Sequence, residues 1–230
     1  MGLPGGTVTF LFTDIEGSTR LLQQLDDDYG QLMSQHRRVM RDAAAKSGGS
    51  EIDAQGDSFF FGFPRARDAV AGSLAAQRRL AAESWPGEAE VKVRMGLHTG
   101  EPTLGDEGYL GLDVVRGARI ANAAHGGQIL VSETTRVLLP HELPDGAELV
   151  DLGPHALKGI DRPERLYQLN APGLASKFPA PRTQPVKHED ELEQKINAFV
   201  ERKVMGALEG FDLREMSSGG WMFRRRKRDT

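Results

Sequence analysis

The 230-residue chain contains no cysteine. That absence excludes disulfides, zinc–thiolate centres and cysteine nucleophiles. No uninterrupted apolar run approaches the roughly 18 residues that a membrane span needs. The N-terminus has neither the basic stretch nor the long apolar stretch of a secretory leader. A cytoplasmic protein is therefore expected. Positive charge is not in excess either: the net charge is −4, which argues against a general nucleic-acid binder. What the chain does have is 39% apolar residues. That is enough for a true core in one domain of ordinary size, with an appendage.

The stretch that carries most information is residues 10–19, FLFTDIEGST. A short apolar, β-branched and aromatic run delivers Asp14 to a strand end. The residues after it, Glu16, Gly17, Ser18 and Thr19, open a helix whose free backbone N–H groups could hold phosphate. A second carboxylate, Asp57, stands in a Gly-Asp turn between two apolar strands. Two acids at adjacent strand ends make an oxygen-rich site for Mg²⁺ or Mn²⁺ on a nucleoside triphosphate. Taken singly, Asp14 reads equally well as a helix-capping acid and Asp57 as an ordinary turn residue.

The periodicities organise the rest. A strand over residues 7–13 precedes one long helical pattern from Ser18, with Leu22, Leu25, Leu32, His36, Val39, Met40 and Ala43 on its apolar face. Gly48-Gly49 ends it. Residues 50–52 and 58–63 form a hairpin around the segment 53–57. A second helix covers 64–82, and residues 91–98 form a half-buried strand with Lys92 and Arg94 outward. Residues 100–111 read as loop, 112–124 as helix and 128–131 as strand. Ser132 can cap a short helix through Leu138, and residues 149–152 and 165–169 can make a final strand pair. His98 reads as a structural histidine.

This order predicts an α/β (α+β) fold. Its centre is a ferredoxin-like βαββαβ core, with helices packed on one face of a mostly antiparallel sheet. Three regions follow from composition: a domain over 1–170, a proline-rich linker over 171–187, and an amphipathic helix with a basic tail over 188–230. The tail, with Trp221 and Phe223 beside Arg224–Arg228, offers a weak contact with an anionic membrane surface.

Five ordered segments together resemble the class III nucleotidyl cyclase family, the adenylyl/guanylyl cyclase catalytic domain. They are FLFTDIEGST, QGDSFFFGFP, VRMGLHTGE, GYLGLDVVRGARIANAAHGGQILVS and DLGPHALKGIDRPERLYQL, and they span about three-quarters of the chain. The resemblance implies an enzyme that turns ATP or GTP into a 3′,5′-cyclic nucleotide and pyrophosphate, using two divalent metal ions. By that resemblance Asp14 and Asp57 are the metal aspartates, and the Ile15 carbonyl is a further ligand. The Glu16–Thr19 backbone holds the β- and γ-phosphates, Arg119 is the transition-state arginine, and Lys158 is the triphosphate lysine. It further implies a head-to-tail homodimer in which one chain's aspartates face the partner's Arg119 and Lys158.

Three positions depart from the family pattern. The purine-contacting lysine is replaced by Asp53, the second base-contacting residue by Gly108, and the ribose-orienting asparagine by Val115. A carboxylate at Asp53 suits the N1–H and 2-amino donors of guanine, and Gly108 removes an acceptor that would repel O6, so GTP is favoured over ATP. Val115 cannot hydrogen-bond, which predicts weak or partner-dependent activity. The alternative reading is a catalytically silent cyclase homology module that binds nucleotide or dimerises for regulation.

Overall fold

The computed structural model describes residues 3–105, 108–140 and 143–183. Residues 184–230, with the end of the expected linker and the whole of the expected amphipathic helix and basic tail, lie outside the described residues.

Nine strands and five α-helices follow one another along the described chain. They are β1 (Val8–Ile15), α1 (Ser18–Leu25), α2 (Tyr29–Lys46), β2 (Ser50–Gln55), β3 (Ser58–Phe63), α3 (Ala66–Ala82), β4 (Val93–Gly100), β5 (Thr103–Gly105), β6 (Gly108–Leu110), α4 (Leu112–Ala123), β7 (Ile129–Ser132), α5 (Glu133–Val137), β8 (Glu148–His155) and β9 (Glu164–Asn170). Seven strands form one sheet in the order β2-β3-β1-β4-β7-β9-β8, and β5 and β6 form a separate hairpin. All pairings in the large sheet are antiparallel except β4 with β7. The β2-β3-β1-β4 half, with its two crossover connections, is the expected ferredoxin-like core.

The helices do not share one face. β1 is apolar on both sides, so both sides must be covered. Leu11 and Ile15 face a core built with Leu32, Val39 and Met40 of α2 and Val70 and Leu74 of α3. Val8, Phe10 and Phe12 face the other way, onto Tyr109 and onto Val114, Ala118 and Ala121 of α4. The helix α4 sits very close to the sheet. A Cβ placed on Gly96 would come within 2.3 Å of the Ala121 backbone nitrogen.

Two local readings change. The long helix from Ser18 is interrupted at Asp26–Asp28, where a short 3₁₀ turn separates α1 from α2. Three consecutive aspartates are poor helix formers with like charges side by side, and Asp26 takes a φ of 44°. Leu22, counted on the apolar face, is 47% exposed, since α1 buries Ser18, Leu21 and Leu25 instead. Residues 100–111 are not all loop, since β5 and β6 pair within them. The end of α2 is as expected: Gly48 is left-handed and Gly49 N–H donates to Ala44 O at 2.9 Å. Ser132 caps α5 by accepting from Thr135 N–H. His98 is fully engaged, with Nδ1 2.8 Å from Ser132 Oγ and Nε2 3.4 Å from Asp113 Oδ1. Among the described residues no helix is long and apolar enough to cross a membrane.

Candidate active site

Strand pairing brings the two acids together. β1 runs to Ile15, and its antiparallel partner β3 starts at Ser58, directly after the Gly56-Asp57 tip. β2 extends to Gln55, so the hairpin tip is only two residues long, with Gly56 at φ 58°. Arg37 of α2 steadies this tip by donating to Gly56 O at 3.1 Å. Asp14 and Asp57 are 3% and 2% exposed. The Ser58 hydroxyl donates to Asp14 Oδ1 at 2.5 Å.

A cation is already present at this pole. Arg94 pairs with Asp14 in the β1–β4 register, and its Nη2 donates to Asp14 Oδ2 at 3.2 Å. The sequence placed Arg94 outward on a half-buried strand, yet it is 2% exposed. The face of β4 that it shares with Gly96 is not a solvent face, since α4 packs on it at Gly96. The available signal was the register itself: an acid at one strand's end and an arginine at the start of its antiparallel neighbour.

The turn that follows differs at its first residue from the expected Glu16–Thr19 phosphate-holding backbone, because the Glu16 N–H is already taken by a backbone carbonyl. Glu16 N–H donates to Lys92 O at 2.8 Å, and Gly17 takes a left-handed φ of 70° as the N-cap of α1. The cap residue itself, being a glycine, supplies no side-chain cap. A helix N-terminus is electropositive and favours a nearby anion, and that of α1 begins at Ser18. The Glu16 side chain folds away toward Gly126 and bonds Arg182. Burial pushes its carboxyl up. The Arg182 hydrogen bond and charge, the Gly126 N–H and the Arg94 charge outweigh this and leave it below its ordinary value.

His36 lies near the Asp57 turn on α2, fully buried, and among the described residues neither ring nitrogen has a hydrogen bond. Burial lowers its pKa to about 4, although the Asp57 charge acts in the opposite sense. It is a neutral ring at neutral pH, packed 5.6 Å from Phe59.

The remaining site candidates occupy other elements. Arg119 and Val115 are on α4, and both are partly buried. Val115 packs with Leu152 against Ile120, Leu130, Leu157 and Ile160, which gives its apolar side chain a packing role. Lys158 is exposed in the turn between β8 and β9, where Ile160 N–H donates to Leu157 O at 3.1 Å and Gly159 has φ 72°. Asp53 is half-buried on β2, and its Oδ1 accepts from Ala54 N–H at 2.9 Å. Gly108 opens β6 with φ 118°, a backbone state that favours glycine whatever its neighbours. The structure thus gathers Asp14, Ile15, Glu16, Gly17, Ser18, Thr19 and Asp57 at one end of the sheet. The base, ribose and transition-state positions belong to β2, β6, α4 and the β8–β9 turn.

The donor set suits a hard divalent cation. Two carboxylates and a strand-end carbonyl are oxygen ligands, and buried carboxylates are stable when paired or bound to a metal. Among the described residues no group of three or more His, Cys, Asp or Glu stands ready to hold an ion. That composition fits Mg²⁺ or Mn²⁺, which keep water and phosphate oxygens as ligands, better than an all-protein cage.

Comparison with known proteins gives the same direction. The family description "Adenylate and Guanylate cyclase catalytic domain" matches residues 4–171. An uncharacterised protein of Mycobacterium tuberculosis is 39% identical over 202 residues, covering 87% of this chain and 68% of that protein. An adenylate cyclase of Podospora anserina is 28% identical over 248 residues, covering 84% of this chain but 11% of its own length. Among solved structures, an adenylate cyclase from Trypanosoma brucei in its monomeric state superposes with a TM-score of 0.68 at 27% identity. That match covers 78% of this chain and 96% of the other. The chain belongs to the adenylate and guanylate cyclase catalytic domain family.

Proposed function

We propose that the chain is a nucleotidyl cyclase, converting a nucleoside triphosphate to its 3′,5′-cyclic nucleotide and pyrophosphate at a site shared by two copies. The observation that carries this reading is the buried pair Asp14 and Asp57 beside the N-terminus of α1, where the cap residue is Gly17. Asp14, Asp57 and the Ile15 carbonyl would hold two divalent ions, which when bound neutralise polyphosphate charge and favour the ionised 3′-hydroxyl.

The protein's own groups do the rest. Backbone N–H groups of Gly17, Ser18 and Thr19 bind the β- and γ-phosphates. The partner's Lys158 adds a charge on the triphosphate. The 3′-oxygen bonds to the α-phosphorus while the bond from that phosphorus to its bridging oxygen breaks. The hydroxyl proton passes to solvent. The partner's Arg119 stabilises the negative charge that builds on the α-phosphate oxygens. Asp53 reads the donor edge of guanine, so GTP is the preferred base.

A second reading follows from Val115. Its side chain is used in packing and offers no hydrogen bond to a ribose. A silent module that binds metal–nucleotide without turning it over would keep the same fold and carboxylates.

One assay separates them: all four nucleoside triphosphates with Mn²⁺, using wild type, Asp57→Ala and Arg119→Ala. Cyclic product from wild type that disappears in both variants supports the enzyme. Metal-dependent binding without product supports the silent module. Faster turnover of ATP than GTP would overturn the assignment of Asp53.

A further inference from the structure

Residues 171–183 leave the end of β9 and run back along the domain to the carboxylate pole. Ala171 and Leu174 pack into the main core, and four polar contacts among the described residues also fasten this strap. Gln168 Nε2 donates to Ser176 O at 2.8 Å, and His125 Nε2 bonds Ala180 O at 3.0 Å. Arg182 N–H donates to Ala123 O at 2.8 Å, at the C-terminal end of α4. The fourth contact is the ion pair of the Arg182 guanidinium with Glu16, with both side chains 31% exposed.

Glu16 needs such a partner. It stands immediately after the metal-side residues Asp14 and Ile15 and immediately before the turn whose N–H groups face phosphate. An unopposed carboxylate there would repel a polyphosphate and could itself occupy those N–H groups. The structure turns it aside instead. Gly126 leaves the room, since a Cβ at that position would lie 2.8 Å from Glu16 Oε2. The Gly126 N–H and the Arg182 guanidinium then hold the carboxylate.

We infer that Arg182 is a positioning residue for triphosphate binding: it draws the Glu16 carboxylate away from the phosphate turn and neutralises it. The inference rests on the cyclase reading of that turn. It also makes the strap part of the site, because the residue that clears the phosphate turn is anchored through its own backbone to α4, the helix that carries Arg119.

The test uses the full chain with Mn²⁺ and 3′-deoxy nucleoside triphosphates, which cannot cyclise, so that binding is read without turnover. Arg182→Ala should weaken triphosphate binding about fivefold while leaving the matching monophosphate nearly unaffected. The same substitution made on a Glu16→Gln background should have almost no effect, because no stray carboxylate remains to repel phosphate. Arg182→Lys should keep most of the wild-type affinity, and it serves as the second variant if Arg182→Ala does not fold. Equal Arg182→Ala losses with and without the Glu16→Gln change would mean a purely structural strap and overturn the inference. So would unchanged binding by Arg182→Ala. A wild-type chain that binds no triphosphate overturns the cyclase reading itself, and the inference falls with it.

Discussion

Arg94 and Asp14 face each other across β1 and β4 with their charged groups 3.2 Å apart, both almost wholly buried. Such a pair is costly to break from one side, because the remaining charge is left in a low-dielectric setting. Arg94→Gln should therefore destabilise the fold by about 3 kcal/mol, measured by urea denaturation. A divalent ion at Asp14 would replace part of the lost positive charge. Mn²⁺ should accordingly raise the melting temperature of Arg94→Gln more than that of wild type. An equal shift in both would separate the carboxylate pair from metal binding.

His36 makes the fold sensitive to acid. Its folded pKa of about 4 lies below the ordinary 6.5, so the unfolded chain takes up the proton first as pH falls. Stability is undiminished by this group above pH 6.5 and is lost progressively down to pH 4, for a total of about 3 kcal/mol. His36→Leu, which cannot ionise, should lose that much less stability over the same interval. Denaturant midpoints at stepped pH values would show it. Parallel pH dependence in the two proteins would refute the assignment.

Gly96 should tolerate no side chain. The nearest atoms to an added Cβ are the nitrogen and Cα of Ala121, at 2.3 and 2.6 Å, and backbone cannot rotate aside. Gly96→Ala is expected to cost about 3 kcal/mol. Gly30, exposed on α2 with nothing within 4 Å of an added Cβ, provides the contrast. Gly30→Ala should stabilise by about 0.5 kcal/mol through lower unfolded-chain entropy. Thermal unfolding of both variants checks the pair.

Val115→Asn should raise turnover. An asparagine there can supply a ribose hydrogen bond, and a contact of about 1–3 kcal/mol felt in the transition state corresponds to roughly 5–150-fold in kcat. Some stability will be lost, because Val115 packs against the apolar group around Ile120 and Leu157. A variant with unchanged kcat and normal folding would show that ribose orientation does not limit the reaction.

Asp53→Lys should move base preference toward ATP, since an ammonium donates to adenine N1 and repels the donor edge of guanine. The ratio of kcat/KM for GTP over ATP should fall about tenfold. The reverse change at the second base position is less accessible, because Gly108 holds φ 118° and a side chain there would be strained. An unaltered ratio in Asp53→Lys would remove Asp53 from base recognition.

Much of the domain was readable before the structure because its signals are local. The apolar run into Asp14, the Gly48-Gly49 stop and the Ser132 cap each act within a few residues. The neighbouring acids Asp14 and Asp57 were readable for the same reason, each lying at a strand end or turn. What escaped depended on distant pairing. Arg94 reads as an outward residue until β1 brings Asp14 opposite. The acidic break at Asp26–Asp28 was hidden by an apolar period that continues on either side of it. The β5–β6 hairpin was masked by glycines that read as loop. Arg182 has no local signal at all, because its partner is Glu16, 166 positions earlier in the chain.

The close seat of Ala121 on Gly96 has a mechanical consequence. With no layer of side chains between helix and sheet at that point, α4 has little freedom to rock or slide independently. Arg119 on this helix is then mounted on the strands almost as firmly as the carboxylates are. In a shared site, the gap between one copy's Arg119 and the other's Asp14 and Asp57 would be adjusted by rolling whole domains against each other. Control over turnover would reside in how the two bodies are clamped, with each copy behaving as a stiff jaw.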